Sequence, residues 1–261
     1  MASGKSSLTD GDLAIRDLLD RALERPAEAV RSLPINLALA CRMLADEGHA
    51  RTLAGQVTAR AEQPGTYWTT QWGRAFPEAT ADNLVRFDDD MQVVEGEARP
   101  NPAVRFHLWI YRSRPDVSCI IHTHAPYAAA LAQTGEPLAV AHMDTTMFHN
   151  DCAFLGEWPG VPVGDEEGRI IDEALGGKRS ILLANHGLLT TGRTLDEALY
   201  LAVLFEQAAQ MHLLSRAIGP IKPITAELAA DAHAFMTKPG LIAMTVESWF
   251  RQTLKRHPDV V

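Results

Sequence analysis

The stretch that decides the fold is Cys119-Ile120-Ile121-His122-Thr123-His124-Ala125-Pro126-Tyr127. Its first three residues are apolar and β-prone, which predicts a short buried strand. Alternate side chains of a strand share one face, so His122 and His124 are expected to point the same way. Pro126 stops the strand just beyond them. Two imidazoles side by side at a strand end form two corners of a metal site.

A third histidine follows a second β-type run. Residues 180–184 read Ser-Ile-Leu-Leu-Ala and lead into Asn185-His186-Gly187. Gly187 allows backbone or substrate to approach closely. We therefore expect His122, His124 and His186 to bind one divalent ion together. The alternative for each histidine taken alone is a hydrogen-bonded core residue.

Composition places the chain among ordinary soluble globular proteins, since 46% of its 261 residues are hydrophobic and 22% are charged. A net charge of −9, without a block of Lys or Arg, argues against nonspecific binding to nucleic acid or to an anionic membrane. No apolar run approaches the length of a membrane span. The three cysteines are far apart in the sequence and indicate reduced thiols. These features predict a cytoplasmic protein. With nucleic acid and membrane disfavoured, the partner expected for the predicted metal site is a small-molecule substrate.

Strand and helix patterns interleave irregularly, with hairpins in the middle of the chain. Residues 1–12 are polar and are interpreted as a disordered leader, and residues 13–261 as one domain. The pattern predicts a single α/β domain with a mixed or largely antiparallel sheet. Strands are expected at 53–60, 66–70, 84–87, 91–96, 119–121 and 180–184. Helices are expected at 33–46, 104–112, 126–133, 170–175, 194–215 (with Thr194 and Glu197 in a capping box), 225–235 and 241–256.

The ordered set of motifs resembles the class II aldolase/adducin family over residues 30–216. The motifs are Gly55-Gln56, the loop at Gly73, Arg105-Phe106-His107, Arg112-Ser113-Arg114-Pro115-Asp116-Val117, His122-Thr123-His124 and Asn185-His186-Gly187. The resemblance implies a single α/β/α domain with a central, mainly antiparallel sheet. It also implies a homotetramer with active sites at subunit interfaces. His122, His124 and His186 would then hold one divalent ion per subunit, zinc or manganese.

The sequence departs from the aldolases of this family at one place. Sugar-phosphate aldolases carry Ser-Ser-Glu where this chain has Asn101-Pro102-Ala103. The serines bind phosphate and the Glu is the acid/base group, whereas Ala103 cannot exchange a proton and Pro102 lacks a hydroxyl and a backbone donor. The departure disfavours a phosphorylated sugar. An alternative alignment would let Glu95 or Glu97 replace the missing carboxylate.

A metal site without that Glu favours cleavage of a carbon–carbon bond by decarboxylation. The expected substrate is a small hydroxy- or oxo-carboxylate, including aromatic ones. Retro-aldol cleavage needs a base at the start, and decarboxylation does not, so loss of the Glu affects decarboxylation less. The alternatives are a retro-aldolase, a sugar epimerase or dehydratase on an unphosphorylated substrate, and a non-catalytic adducin-like interaction module. The complete histidine set argues against the last of these.

Two residues are candidate proton donors and six are candidate substrate ligands. Tyr127 and His149 are the preferred donors, with packing as the alternative for Tyr127. Arg74 suits a carboxylate through its planar guanidinium, and Trp68 and Trp72 nearby suggest a flat substrate. By resemblance, the substrate-binding residues are Gly55, Gln56, Thr70, Gly73, Arg74 and Asn101.

Overall fold

The computed structural model describes residues 10–24, 31–49, 52–160 and 164–261. Within them, the α-helices are α1 (Asp10–Leu23), α2 (Leu33–Asp46), α3 (Arg105–Ser113), α4 (Pro126–Ala132), α5 (Asp165–Leu175), α6 (Leu195–Ile218), α7 (Ala226–Met236) and α8 (Pro239–Arg256). The strands are β1 (Gln56–Arg60), β2 (Thr66–Thr70), β3 (Leu84–Asp88), β4 (Val93–Glu95), β5 (Cys119–Thr123), β6 (Cys152–Leu155), β7 (Ser180–Leu183) and β8 (Gly187–Gly192). Short 3-10 helices include Pro102–Val104 and Met143–Phe148.

These strands form one sheet in the order β4-β3-β2-β1-β5-β8-β7-β6. Every neighbouring pair is antiparallel except β6 and β7, which are parallel. One apolar core joins a face of the sheet to α2, α4, α6 and α8, and a second core joins the other face to α3 and α5. The predicted α/β/α domain with a mainly antiparallel, mixed sheet is confirmed.

The register of the sheet decides which residues meet where its strands begin and end. Here 'edge' means one of these two rows of strand ends, and not an outer strand. Gln56 pairs with His122, and Leu183 pairs with Gly187, so β1 begins where β5 and β7 end. We call this the histidine edge. At the other edge Cys119 pairs with Gly192, and Cys152 pairs with Ser180; because Arg179 lies beside this edge, we call it the arginine edge.

Several elements have the bounds that the sequence predicts, among them α2 and β2. The predicted leader overlaps α1, which begins at Asp10, and residues 1–9 lie outside the described residues. Two strands were not predicted, β6 and β8. Thr194 caps α6 as expected, by accepting from Glu197 N at 3.1 Å. The second hydrogen bond of the predicted capping box, from Thr194 N to the Glu197 side chain, is wrong. The Glu197 carboxylate accepts from Arg193 N instead.

Among the described residues, no helix has the length and apolar character that crossing a membrane requires.

Candidate metal centre

Three imidazoles meet at the histidine edge. His122 belongs to β5, His124 follows the end of that strand, and His186 lies in the turn between β7 and β8. The Nε2 atoms of His122 and His124 are 3.1 Å apart. The ring centroids are separated by 5.0 Å for His122–His124 and by 4.7 Å for each pair with His186. One nitrogen from each ring lies within 4.8 Å of the others, the spacing of ligands around a shared ion.

The hydrogen bonding of His122 fixes which of its nitrogens is free. Its Nδ1 lies 2.8 Å from Leu188 O, and since a carbonyl only accepts, Nδ1 carries the proton. Nε2 therefore keeps its lone pair and faces the other two rings. This arrangement, with an outer hydrogen bond that sets the tautomer, is typical of metal-binding histidines.

All three imidazoles are held in the neutral form that binds metals. Burial, with a contribution from the neighbouring rings, lowers the pKa of His122 well below its usual range. The same two causes lower the pKa of His186 to about 4, and burial lowers that of His124. The ring of His122 is buried while His124 is exposed, so the cluster opens to solvent on one side. These residues can hold a divalent ion and leave positions for a substrate.

Close backbone packing explains the glycine that follows His186. A Cβ on Gly187 would lie 2.4 Å from Thr123 O and 3.1 Å from His124 Cδ2. Asn185, on the other side of His186, has φ +56°, in the left-handed region that Asn tolerates better than most residues. The tight turn and the glycine together bring His186 against the end of β5.

Gln56 is the predicted substrate ligand nearest the cluster by strand register. It pairs with His122 in the antiparallel β1–β5 ladder, so the two side chains share a face. The Gln56 side chain is buried, and its Oε1 has no hydrogen-bond partner among the described residues. A buried amide without a partner is costly unless a ligand or water satisfies it. Gly55 precedes it at the start of the strand.

Asn101 organises the neighbouring loops. Its Oδ1 accepts from Ala103 N at 3.0 Å, and its Nδ2 donates to Leu53 O at 3.3 Å. Half of its hydrogen-bonding capacity is therefore used internally, and one Nδ2 hydrogen and one lone pair of Oδ1 remain for a substrate.

The loop after β2 lies against the same segment. Trp72 N donates to Arg99 O at 2.8 Å, Gly73 has φ +90°, and Arg74 is exposed, with Nε donating to Gln71 Oε1 at 3.2 Å. Thr70 is placed differently. It pairs with Leu84, whose side chain belongs to the α2 and α6 core, so Thr70 faces away from the side of the sheet that carries His122.

The two candidate proton donors lie at opposite edges. Tyr127 is exposed in the first turn of α4, three residues after His124. His149 ends a 3-10 helix three residues before β6, and its Nε2 accepts from Asn150 Nδ2 at 3.1 Å. Because β6 starts at the arginine edge, His149 is separated from His186 by the length of the strand, about 10 Å or more. Within one subunit the structure does not bring His149 to the cluster.

The arginine edge is held by an ion network. Arg179 pairs with Asp151, and its Nη1 donates to Glu197 Oε1 at 2.7 Å. Arg193 also pairs with Glu197. All these charges are partnered, so the network is structural.

Two residues near the cluster were not predicted to matter. His49 is buried, and its Nδ1 lies 2.9 Å from the Oγ1 atom of Thr123, the residue between His122 and His124. Glu206, on α6, is buried, and its carboxylate accepts from the first N–H groups of α4. An acidic residue within an apolar helical stretch was the available sequence signal for Glu206. His107 is a buried residue of α3, with Nδ1 2.8 Å from Thr58 Oγ1.

The buried histidines predict a loss of stability in mild acid. Burial lowers the pKa of His49 and of His107 to about 3, against about 6.5 in an unfolded chain. The unfolded state therefore binds more protons below pH 6.5, and the free energy of unfolding falls as pH falls toward 3, by up to about 1.4 kcal/mol per pH unit for each histidine. Burial raises the pKa of Asp196 to about 6 and also raises that of Glu206, and both carboxyl groups oppose this trend. The lowered pKa values of His122 and His186 add to it in the metal-free protein. Urea unfolding of the metal-free protein between pH 6.5 and 5 measures the slope, and a flat profile would contradict it.

Comparisons with known proteins indicate one family. Residues 35–213 match the model of the Class II Aldolase and Adducin N-terminal domain. The chain is 34% identical over 211 residues to a 4-hydroxy-3-prenylphenylpyruvate oxygenase/4-hydroxy-3-prenylbenzoate synthase of Streptomyces roseochromogenus subsp. oscitans, covering 80% of this chain and 76% of the relative. It is 36% identical to the decarboxylase NovR of Streptomyces niveus, in an alignment that covers 68% of this chain and 67% of that relative.

A solved structure is similar over almost the whole chain. It is an L-fuculose 1-phosphate aldolase from Glaciozyma antarctica PI12, with a TM-score of 0.81 and 31% identity, covering 91% of this chain and 97% of that one. The chain therefore belongs to the class II aldolase and adducin family.

Proposed function

We propose that this family member is a divalent-metal-dependent carbon–carbon lyase that decarboxylates a small hydroxy- or oxo-carboxylate. The observation that carries the proposal is a complete cluster of three neutral imidazoles at the histidine edge. By the family resemblance, Ala103 takes the position of the acid/base Glu of the sugar-phosphate aldolases, and its methyl side chain cannot exchange a proton. The decarboxylase NovR, among the relatives, supports the same reaction class.

The proposed cofactor is one zinc or manganese ion per subunit, held by His122, His124 and His186. Such an ion would supply an electrophilic centre that stabilises negative charge developing on a substrate oxygen. Arg74 is proposed to bind the substrate carboxylate, and Gln56 a polar group beside His122. Gly55 and Gly73 are proposed to let the backbone approach the substrate, and Asn101 holds the neighbouring loop through its hydrogen bonds with Leu53 O and Ala103 N. We propose no substrate contact for Thr70, because it faces the other side of the sheet.

In the proposed reaction, the bond to the carboxylate breaks and carbon dioxide leaves. The step requires a carbonyl on the carbon next to the one that carries the carboxylate, as in a 3-oxo acid, so that the electron pair of the broken bond forms an enolate. A proton then replaces carbon dioxide on the carbon, and the carbonyl is restored. Tyr127 is proposed to deliver this proton, because its exposed hydroxyl lies on the first turn after His124. No base is needed to start the sequence, which fits the presence of Ala103.

Two exposed apolar side chains support an aromatic substrate. Trp72 is 52% exposed and Leu53 is 42% exposed. Leu53 O accepts a hydrogen bond from Asn101 and Trp72 N donates one to Arg99 O, so both residues are tied to the segment 99–101. The antiparallel β1–β2 register brings the end of β2, which precedes Trp72, next to the start of β1. Trp68, in contrast, is partly buried against the α2 and α6 core, with the Arg86 guanidinium over its ring at 5.8 Å, and is structural.

A second candidate reaction is retro-aldol cleavage, which the similarity to an L-fuculose 1-phosphate aldolase favours. It needs a base to remove the hydroxyl proton, and Ala103 does not provide one. Epimerisation or dehydration of an unphosphorylated substrate would use the same cluster. An adducin-like module without activity would not require the cluster at all.

A product screen distinguishes these reactions. Protein loaded with zinc or with manganese is incubated with aromatic and aliphatic hydroxy- and oxo-acids, and carbon dioxide and aldehyde are both measured. We expect release of carbon dioxide under air and under nitrogen alike. Aldehyde without carbon dioxide would establish retro-aldol cleavage, and a product formed only in air would indicate an oxygenase, as the name of one relative describes. Wild-type protein that binds no metal would contradict the proposal.

Ala103→Glu is expected to lower activity toward the native substrate. A carboxylate there would face an anionic substrate and compete for the ion. In a retro-aldolase that only lacks its base, the same change would instead raise the rate by about 10²–10⁴-fold. Steady-state rates with an oxo-acid and with a ketose phosphate decide between the two, and Ala103→Gln is the uncharged control of similar size. A large rate increase in the Glu variant would overturn the decarboxylase proposal.

We also propose a cytoplasmic homotetramer with active sites at subunit interfaces, on the basis of the family. Leu214 and Ile218, near the end of α6, are 58% and 90% exposed and offer apolar surface for such contacts. A monomer by light scattering at micromolar concentration would contradict it.

A further inference from the structure

One buried carboxylate connects α6 to the segment that carries His124 and Tyr127. Glu206 lies in the middle of α6 and is only 7% exposed. Its Oε1 accepts from Tyr127 N at 2.8 Å, and its Oε2 accepts from Ala128 N at 2.8 Å. Each oxygen thus accepts a hydrogen bond from one of two successive backbone N–H groups of α4.

The start of α4 has no local substitute for this carboxylate. The N-cap residue is Ala125, whose side chain cannot accept a hydrogen bond, and Pro126 follows it at the first helical position. The first free N–H groups of the helix are therefore satisfied from α6. Burying a carboxylate is unfavourable, and each oxygen of Glu206 receives one compensating hydrogen bond from a backbone donor. Burial still raises the pKa of Glu206 above its usual value.

The connection from Glu206 to His124 is short and stiff. Tyr127 N is separated from His124 by Ala125, which is fully buried, and by Pro126, whose ring fixes φ. Because few bonds in this segment can rotate, a shift of the α4 N-terminus moves the His124 imidazole and the Tyr127 side chain together.

We propose that Glu206 is a positioning residue that fixes His124 in the metal-binding cluster and Tyr127 beside it. This inference rests on the proposed function. The Glu206 carboxylate would then hold the metal-binding residues in place without touching the ion or the substrate.

The test compares Glu206→Gln and Glu206→Ala with Glu197→Gln. Glu197 is the matched control, because it is a carboxylate of the same helix, 5% exposed, that accepts from Arg193 N and Arg179 at the arginine edge. The dissociation constant for Zn²⁺ is measured by competition with a chromogenic chelator. The visible spectrum of the Co²⁺-loaded protein reports the ligand geometry independently of activity and of melting temperature.

Glu206→Gln is expected to weaken Zn²⁺ binding on the order of 10-fold and to change the Co²⁺ spectrum, and Glu206→Ala to weaken binding on the order of 100-fold. Glu197→Gln is expected to lower the melting temperature while it leaves both metal readouts at the wild-type values. If Glu206→Ala does not fold, Glu206→Gln decides. A wild-type Zn²⁺ constant and Co²⁺ spectrum in the Glu206 variants, whatever their stability, would overturn the inference alone. Wild-type protein that binds no Zn²⁺ or Co²⁺ would overturn the proposed function and the inference with it.

Discussion

His186→Ala is expected to abolish activity and to remove most of the bound metal while the fold stays intact. The two imidazoles that remain are fewer than the three protein ligands of a typical catalytic zinc site. Metal binding should weaken by more than the roughly 10–100-fold that loss of an outer-shell partner causes. Elemental analysis after dialysis gives the metal per subunit, and circular dichroism reports the fold.

His149→Ala is the control for that experiment. It removes an imidazole at the arginine edge, where the residue contacts Asn150 and not the cluster. Metal content and activity should both stay near the wild-type level. Full metal content in His186→Ala would show that the third ligand is wrong, and loss of activity in His149→Ala would restore that residue as a candidate.

Tyr127→Phe is expected to lower kcat by about 10²–10⁴-fold, the usual contribution of a general acid. KM and metal content should change little, because the change removes one exposed hydroxyl and keeps the ring. Single-turnover and steady-state rates measure the effect. Tyr67→Phe is the control, since it removes a hydroxyl that donates to Asp89 Oδ1 at the arginine edge. A wild-type kcat in Tyr127→Phe would exclude the residue as the proton donor.

Local sequence patterns were sufficient to predict the strands that carry or precede the histidines. Three apolar residues before His122, and the run before His186, predicted β5 and β7 because buried strands have this composition. Local pattern suggests that each histidine lies at a strand end, but it does not show that the rings meet, because β8 lies between β5 and β7 in the sheet. The neutral state of the rings cannot be predicted locally either, because it depends on burial in the packed structure.

The errors arise where pairing between distant segments decides the structure. β8 reads Gly-Leu-Leu-Thr-Thr-Gly, a short run bounded by glycines that local pattern cannot distinguish from a loop, although it lies beside β5 in the sheet. Without the parallel β6–β7 pair, the edge at which His149 lies could not be known. His49 follows the helix-ending Gly48, and its burial against Thr123 is a tertiary contact with no local signal.

The separation of the two sheet edges has a consequence for protein engineering. The residues proposed for chemistry lie at the edge of His122 and His186, whereas the Arg179–Asp151–Glu197 ion network lies at the other end of the same strands. Substitutions at sites more than about 7–10 Å apart that share no partner usually have additive effects. A thermostable variant can therefore be selected by changes around Arg179, and substrate range by changes around Trp72, in separate libraries whose winners are combined afterwards.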